Sequence, residues 1–151
     1  MNLQIYLPLL ILLVPLTLLS FKGWEKREEV LLQFNLLKVL VGMNEETKCY
    51  ALKEVLRLTQ TRNLDLSNTA EYSSEKSELN LAIEQSYSKE DYEVRYSAIV
   101  SKEYAIAEIE ESSNWVSRQK VWKGSVLQMV MFKKQSKGDF QPIYSCSKFL
   151  G

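Results

Sequence analysis

The sequence contains no histidine, and this absence excludes more chemistry than any other feature of its composition. Serine–histidine–aspartate catalysis, cysteine–histidine catalysis and imidazole-ligated metal sites all need that side chain. Lysine, tyrosine and carboxylates can still transfer protons, but no serine has a base partner in the pattern. We therefore expect no catalytic residue, no cofactor and no metal site, in a protein that is not an enzyme.

An excess of charge of one sign is also missing, because 19 Lys and Arg balance 19 Asp and Glu. A nucleic-acid-binding protein normally carries a basic surplus, so we expect no nucleic-acid partner. With 5 Gly and 3 Pro in 151 residues, the chain has little material for a flexible linker or a low-complexity tail. Residues 22–151 therefore predict a single domain, which has an ordinary size of about 130 residues.

Cysteine is scarce too, with two residues, Cys49 and Cys146, that form no CxxC pair. In an exported protein, two such cysteines are a candidate disulfide. In the cytosol, they would instead be two buried small apolar side chains. We favour the disulfide because the N-terminal segment indicates export.

That segment, Leu3 to Phe21, is uncharged and rich in leucine. Its length matches the ~20 apolar residues that a membrane-spanning helix needs, although Pro8 and Pro15 would each interrupt the helix. Residues 1–21 therefore predict a transmembrane anchor or a signal peptide. Ser20 offers only a weak cleavage site, which favours the anchor.

The residues that follow have the composition of a membrane boundary. Trp24 is suited to the headgroup region, and Lys22, Lys26 and Arg27 are basic. We predict these four residues as membrane-interface anchors. The basic residues favour a cytoplasmic location for the following domain, whereas the cysteines favour export, and we expect an exported domain.

Residues 24–62 have a helical pattern. Val30, Phe34, Leu37 and Val41 recur at spacings of four, three and four, which predicts one buried helix face. Four leucines widen this face: Leu31, Leu32, Leu36 and Leu40. Gly42 predicts a left-handed residue after this helix, and Asn44 predicts the N-cap of a second helix. The inner face of the second helix is predicted to consist of Cys49, Leu52, Val55, Leu56 and Thr59.

Residues 63–77 are polar and predict a loop, and residues 78–151 predict a sheet. Leu79, Leu81, Ile83 and Tyr87 alternate with polar residues, and a second run alternates more cleanly: Tyr92, Val94, Tyr96, Ala98 and Val100. The remaining predicted strands are Tyr104–Ile109, one or two within Trp115–Phe132 that break near Lys123–Gly124, and Phe140–Phe149.

Turn signals separate these strands at Ser112–Asn114 and at Ser136–Asp139. Pro142 predicts an edge or a bulge for the last strand. The fold class is therefore α+β: an apolar N-terminal helix, one or two amphipathic helices, and an antiparallel meander of four to six strands.

Two groups in the sheet suggest ligands. The tyrosines of the second run either cover helices or form a stacking platform, and we favour the structural role. Glu108, Glu110 and Glu111 suggest a cation site, but carboxylates along one strand point to alternating faces and do not converge.

The order of these elements resembles that of type IV pilin-like and pseudopilin subunits. They have an apolar N-terminal helix, an amphipathic continuation, a loop and an antiparallel sheet. Their basic leader ending in Gly is absent here, so the resemblance implies a layout and no site residue. We expect a membrane-anchored binding module or subunit of a cell-envelope assembly that contacts a membrane and a protein partner. The alternative is a secreted binding or inhibitory domain.

Overall fold

The computed structural model describes residues 23–42, 44–87, 91–117 and 120–150. These residues group into two compact units, one ending at Leu64 and one beginning at Asp65, and each is described by itself. Helices precede an antiparallel sheet along the chain, so the predicted α+β class is confirmed. The apolar run of residues 1–21 lies outside the described residues. The anchor or signal peptide, and the single domain over residues 22–151, remain predictions.

The first unit contains two α-helices that pack against each other, α1 (Gly23–Val41) and α2 (Glu45–Arg62). An ion pair of 3.6 Å between Arg62 and Glu28 joins the end of α2 to the beginning of α1. The two helices agree with the helical region predicted from the sequence. No helix within the described residues combines the length and the apolar character that a bilayer span requires.

The buried face of α1 differs in part from the predicted one. Leu32, Leu36 and Val39 are buried, whereas Leu37 and Val41 are 40% and 63% exposed. Polar residues of a surface helix usually face solvent. Asn35 does not, because its amide donates to the Leu31 carbonyl oxygen at 2.9 Å and the side chain can therefore be buried.

The connection between α1 and α2 contains the predicted N-cap. The Asn44 side chain accepts a hydrogen bond from the Thr47 backbone N–H at 2.8 Å. The left-handed conformation predicted for Gly42 is wrong, since the positive-φ glycine among the described residues is Gly138. Gly42 instead allows a close approach, because a Cβ atom there would lie 2.6 Å from the Lys38 carbonyl oxygen.

The second unit begins with a 3₁₀ turn, Leu66–Asn68, and a third helix, α3 (Ser73–Tyr87). The strand predicted over Leu79–Tyr87 is therefore wrong, and α3 begins inside the predicted loop. Leu79, Leu81 and Ile83 alternate in sequence, but Leu81 is 48% exposed while Ala82 is buried. The buried residues of α3 have helical spacing: Leu79, Ala82, Ile83 and Tyr87.

Four strands form one antiparallel meander in the order β1-β2-β3-β4, which agrees with the prediction. The strands are β1 (Tyr92–Ile99), β2 (Tyr104–Ser117), β3 (Lys120–Lys134) and β4 (Phe140–Leu150). The turn predicted between β3 and β4 is confirmed, with Gly138 at φ 92°. Pro142 lies on an edge strand beside a register shift, as its missing N–H requires.

One apolar core holds α3 on the sheet. Leu79, Ile83 and Tyr87 of α3 are buried with residues from every strand: Ile99, Ala105, Ala107, Ile109, Val130, Phe132 and Phe140. Residues that oppose each other in antiparallel strands lie on the same face, so the pairs Ala105–Phe132 and Ala107–Val130 place this core on one face of the sheet.

A β-bulge at Arg95 divides the predicted aromatic stripe of β1. Val94 opposes Ile109 and Tyr96 opposes Glu108, so Arg95 is the extra residue between two pairs. Tyr92 therefore packs against the α3 core, whereas Tyr96 lies on the other face. The period of two fails here because an inserted residue moves every following side chain to the opposite face.

Candidate functional site

Both cysteines are disulfide-bonded, and the chain has no others, so the bond joins Cys49 of α2 to Cys146 of β4. The predicted disulfide is confirmed. Disulfides form and persist in oxidising compartments and are rare in the cytosol. The bond therefore indicates an extracytoplasmic domain.

The four predicted membrane-interface anchors lie in sequence at or just before the start of α1. Lys22 lies outside the described residues, and Trp24 and Lys26 belong to the first turn of α1. Arg27 follows on the same helix and is half-buried. Their role at a membrane remains a prediction.

The three glutamates of β2 do not form a cation site. Glu108 and Glu111 are an odd number of residues apart, so they belong to opposite faces of the strand. Glu110 pairs with Arg95, whose guanidinium lowers the pKa of that carboxyl with help from a hydrogen bond from Ser125. No cluster of acidic, histidine or cysteine side chains in the described part of the chain could hold a metal.

A second polar cluster covers the outer edge of β1. The Asp65 carboxylate accepts hydrogen bonds from the Ser67 backbone N–H at 2.9 Å and from the Ile99 N–H at 3.0 Å. Lys76 donates to the Ser97 carbonyl oxygen, and burial lowers the pKa of its amine. Because these side chains occupy backbone groups on an edge strand, the cluster protects the sheet from further strand pairing.

A cleft of about 310 Å³ lies beside the turn between β3 and β4. It is lined by carboxylates and amines: Glu75, Glu78, Asp139, Lys134 and Lys137, together with Ser74 and Gly138. Lys134 already forms an ion pair with Glu75. The mixed charge and this internal pairing leave the cleft poorly suited to a ligand of either sign.

The tyrosines of the sheet have structural surroundings. The Tyr87 hydroxyl donates to Gln128 at 2.7 Å, and its ring lies 5.7 Å from the ring of Tyr92. Burial, and secondarily the charge of Glu111, raise the pKa of Tyr87 to about 12. Tyr87 therefore fixes α3 to the sheet and offers no open stacking surface.

The feature that does extend from the packed sheet is the end of the β2–β3 hairpin. The pairing of β1 with β2 ends at Glu111, and the pairing of β4 with β3 ends at Ser125. Beyond these points, residues Ser113–Ser117 and Lys120–Gly124 pair only with each other among the described residues. We call this two-stranded segment the arm.

The arm has a distinctive composition along its backbone register. In the backbone register Trp115 opposes Trp122, and Val116 opposes Val121. Lys120 and Lys123 are next to these pairs in sequence. Every charged residue from Ser112 to Gly138 is basic: Arg118, Lys120, Lys123, Lys133, Lys134 and Lys137. The arm is therefore an apolar and cationic ribbon in a chain that is neutral as a whole.

The arm was not predicted from the sequence, because turn-forming residues occur at both of its ends. The turn predicted at Ser112–Asn114 and the break predicted at Lys123–Gly124 both fall inside continuous strands. The signal that could have identified the arm is the near-symmetrical order of its apolar residues, Trp115-Val116 and then Val121-Trp122. Comparisons of this chain with protein-family models, with curated proteins and with solved structures find no match.

Proposed function

We propose that this chain is a non-enzymatic binding module of a cell envelope, held at a membrane by its apolar N-terminal run. The single observation that carries the proposal is the Cys49–Cys146 disulfide. It supports placement of the second unit outside the cytoplasm. The uncharged run of residues 1–21 supplies the segment that would export the chain and retain it.

The polar groups of the sheet unit support a binding role rather than a chemical one. Asp65 and Lys76 are occupied by backbone groups of β1, and Glu75 and Glu110 are occupied by basic side chains. Nucleophilic catalysis requires a nucleophile next to a free general base. None of these four groups provides that arrangement. The arm is the remaining distinctive segment, and we assign to it the contact with a partner.

The proposal predicts how the protein partitions in the cells that produce it. Alkaline carbonate extraction should leave the full-length chain in the membrane pellet, because an apolar helix of about 20 residues is not removed with peripheral proteins. Mass spectrometry of the extracted protein should find residues 1–21 still attached. A variant with Leu10→Lys and Leu13→Lys is the matched control, since two charges in the run should release the chain.

Two results would contradict the proposal in different ways. Full-length protein in the carbonate supernatant would exclude the anchor. A mature chain that begins near Phe21 would replace the anchored module with the secreted binding or inhibitory domain, because the run would then have been a signal peptide.

A further inference from the structure

We propose that the arm binds the headgroup region of an anionic membrane. The inference rests on the proposed function for its compartment, and it adds the class of partner. In the arm, Trp115 pairs with Trp122 and Val116 pairs with Val121. No third strand joins this ribbon among the described residues.

The aromatic pair favours a membrane interface over bulk water. Tryptophan has a large apolar ring with one polar N–H, and its side chain is enriched where hydrocarbon meets headgroups. Two tryptophans directly opposite each other concentrate this preference at one level of the ribbon. The valine pair is the next pair in the register and is also apolar.

The positive charge of the arm favours an anionic membrane surface. Lys120 and Lys123 flank the apolar pairs, and no carboxylate occurs between Glu111 and Asp139. Basic residues beside a membrane interact with anionic headgroups and gain little from neutral ones. The same positive charge opposes pairing of two arms with each other, which makes a second copy of the arm the weaker partner.

The arm is too short to cross the hydrocarbon core of a bilayer. Each strand of the arm has five residues, Ser113–Ser117 or Lys120–Gly124, so the ribbon extends roughly 17 Å at ~3.3 Å per residue. The hydrocarbon core of a bilayer is ~30 Å thick. A two-stranded ribbon also has two open backbone edges, which are not tolerated in lipid hydrocarbon. The arm therefore lies among headgroups and does not cross the membrane.

Tryptophan fluorescence tests the proposal directly in the full chain. The chain has three tryptophans, so Trp24→Phe leaves emission from Trp115 and Trp122 alone. This protein would be reconstituted into phosphatidylcholine vesicles with or without phosphatidylglycerol. We expect a blue shift only with phosphatidylglycerol. Quenching should be stronger with a spin label near the lipid carbonyl than with one at the chain end.

Charge reversal within and outside the arm provides the matched comparison. Lys120→Glu with Lys123→Glu should abolish the response to phosphatidylglycerol. Lys102→Glu with Lys137→Glu makes the same change in net charge at exposed positions near the β1–β2 and β3–β4 connections, at the other end of β2 and β3. This control should keep the full response. Thermal unfolding of each variant checks that the fold is retained.

Three results would overturn the inference. The blue shift could be equal in neutral and anionic vesicles, the arm variant could retain it, or it could appear without vesicles and increase with protein concentration. The last result would assign the arm to a second copy of the chain. Failure of any of these tests with carbonate-resistant protein would leave the proposed function intact. Full-length protein in the carbonate supernatant would overturn the anchored placement itself.

Discussion

The two ends of the β2–β3 hairpin differ in what surrounds them. At one end, β1 and β4 flank the hairpin and α3 covers one face, so that Ala105 and Phe132 are fully buried. At the other end, the arm has only its own two strands among the described residues. The same continuous register therefore passes from a four-stranded sheet into a segment of two paired strands.

This difference predicts that the packed end determines the stability of the fold and that the arm determines binding. Burial of apolar area is the dominant favourable contribution to folding. At the packed end it occurs on both faces of the sheet, at Ala105 and Phe132 on one face and at Ile106 and Met131 on the other. Isolated two-stranded hairpins are marginally stable in water, so the arm relies on the packed end to hold its register. Substitutions at the packed end should change the free energy of unfolding, whereas substitutions in the arm should change binding.

The largest expected effect follows from removal of a core side chain at the packed end. Phe132→Ala should reduce the free energy of unfolding by about 3–5 kcal/mol, because it deletes a buried ring and leaves a cavity. Urea unfolding measures this loss. Leu81→Ala on α3 is the matched control, since Leu81 is 48% exposed and should change stability by about 0.5 kcal/mol or less. Equal losses for both variants would contradict the location of the core.

A smaller effect is expected in alkaline solution. Burial raises the pKa of Tyr87 and of Tyr96 from 10.0 to about 12. The folded state favours the neutral phenols, so their contribution to stability is complete below pH 10 and is lost as the pH rises through about 12. We expect a total loss of about 2 kcal/mol, after allowance for partial solvent screening of the two phenols.

Absorbance of the phenolate in the folded protein measures this titration. Tyr87→Phe should remove one late-titrating group, and Tyr96→Phe should remove the other. A late fraction that Tyr87→Phe leaves unchanged would show that Tyr87 is accessible to solvent.

The turn between β3 and β4 should be sensitive to backbone strain alone. Gly138 has φ 92°, and a Cβ atom there would meet nothing within 4 Å. Gly138→Ala should therefore cost about 1 kcal/mol through its conformation. Gly138→Asn should cost less, since asparagine tolerates positive φ better. Equal unfolding free energies for alanine and glycine would exclude the strained turn.

The smallest effect on stability is expected in the arm. Trp115→Ala with Trp122→Ala should reduce the free energy of unfolding by less than about 1 kcal/mol, the usual contribution of one cross-strand pair. The same double variant should lose the response to anionic vesicles, measured by co-flotation. A loss of stability comparable to that of Phe132→Ala would show that the tryptophans belong to a core.

Local signals in the sequence predicted several elements correctly. Asn44 caps α2, and Gly138 and Pro142 mark the last turn and the edge strand. Each of these depends on the chemistry of one residue and its neighbours: a side-chain acceptor, a tolerated positive φ, or a missing N–H. Such features are visible without knowledge of the tertiary structure.

The errors arose where packing decides the outcome. Leu79–Tyr87 satisfies a strand pattern and a helix pattern, and the choice depends on whether Leu81 or Ala82 is buried. The bulge at Arg95 moves Tyr96 to the opposite face from Tyr92. No single residue in the sequence indicates this bulge. The arm was not predicted because Ser112–Asn114 and Lys123–Gly124 are typical of turns. Pairing of β2 with β3 holds these residues in strands instead.

The most direct test of the central claim, an extracytoplasmic disulfide-bonded module, is thiol trapping in intact cells. Cells would be lysed in acid and treated with a maleimide polymer that adds mass to each free thiol. The protein should show no mass shift without reductant, because Cys49 and Cys146 are bonded, and two additions after reduction. Two additions without reductant would show that the cysteines are free in the cell and would contradict the proposed compartment.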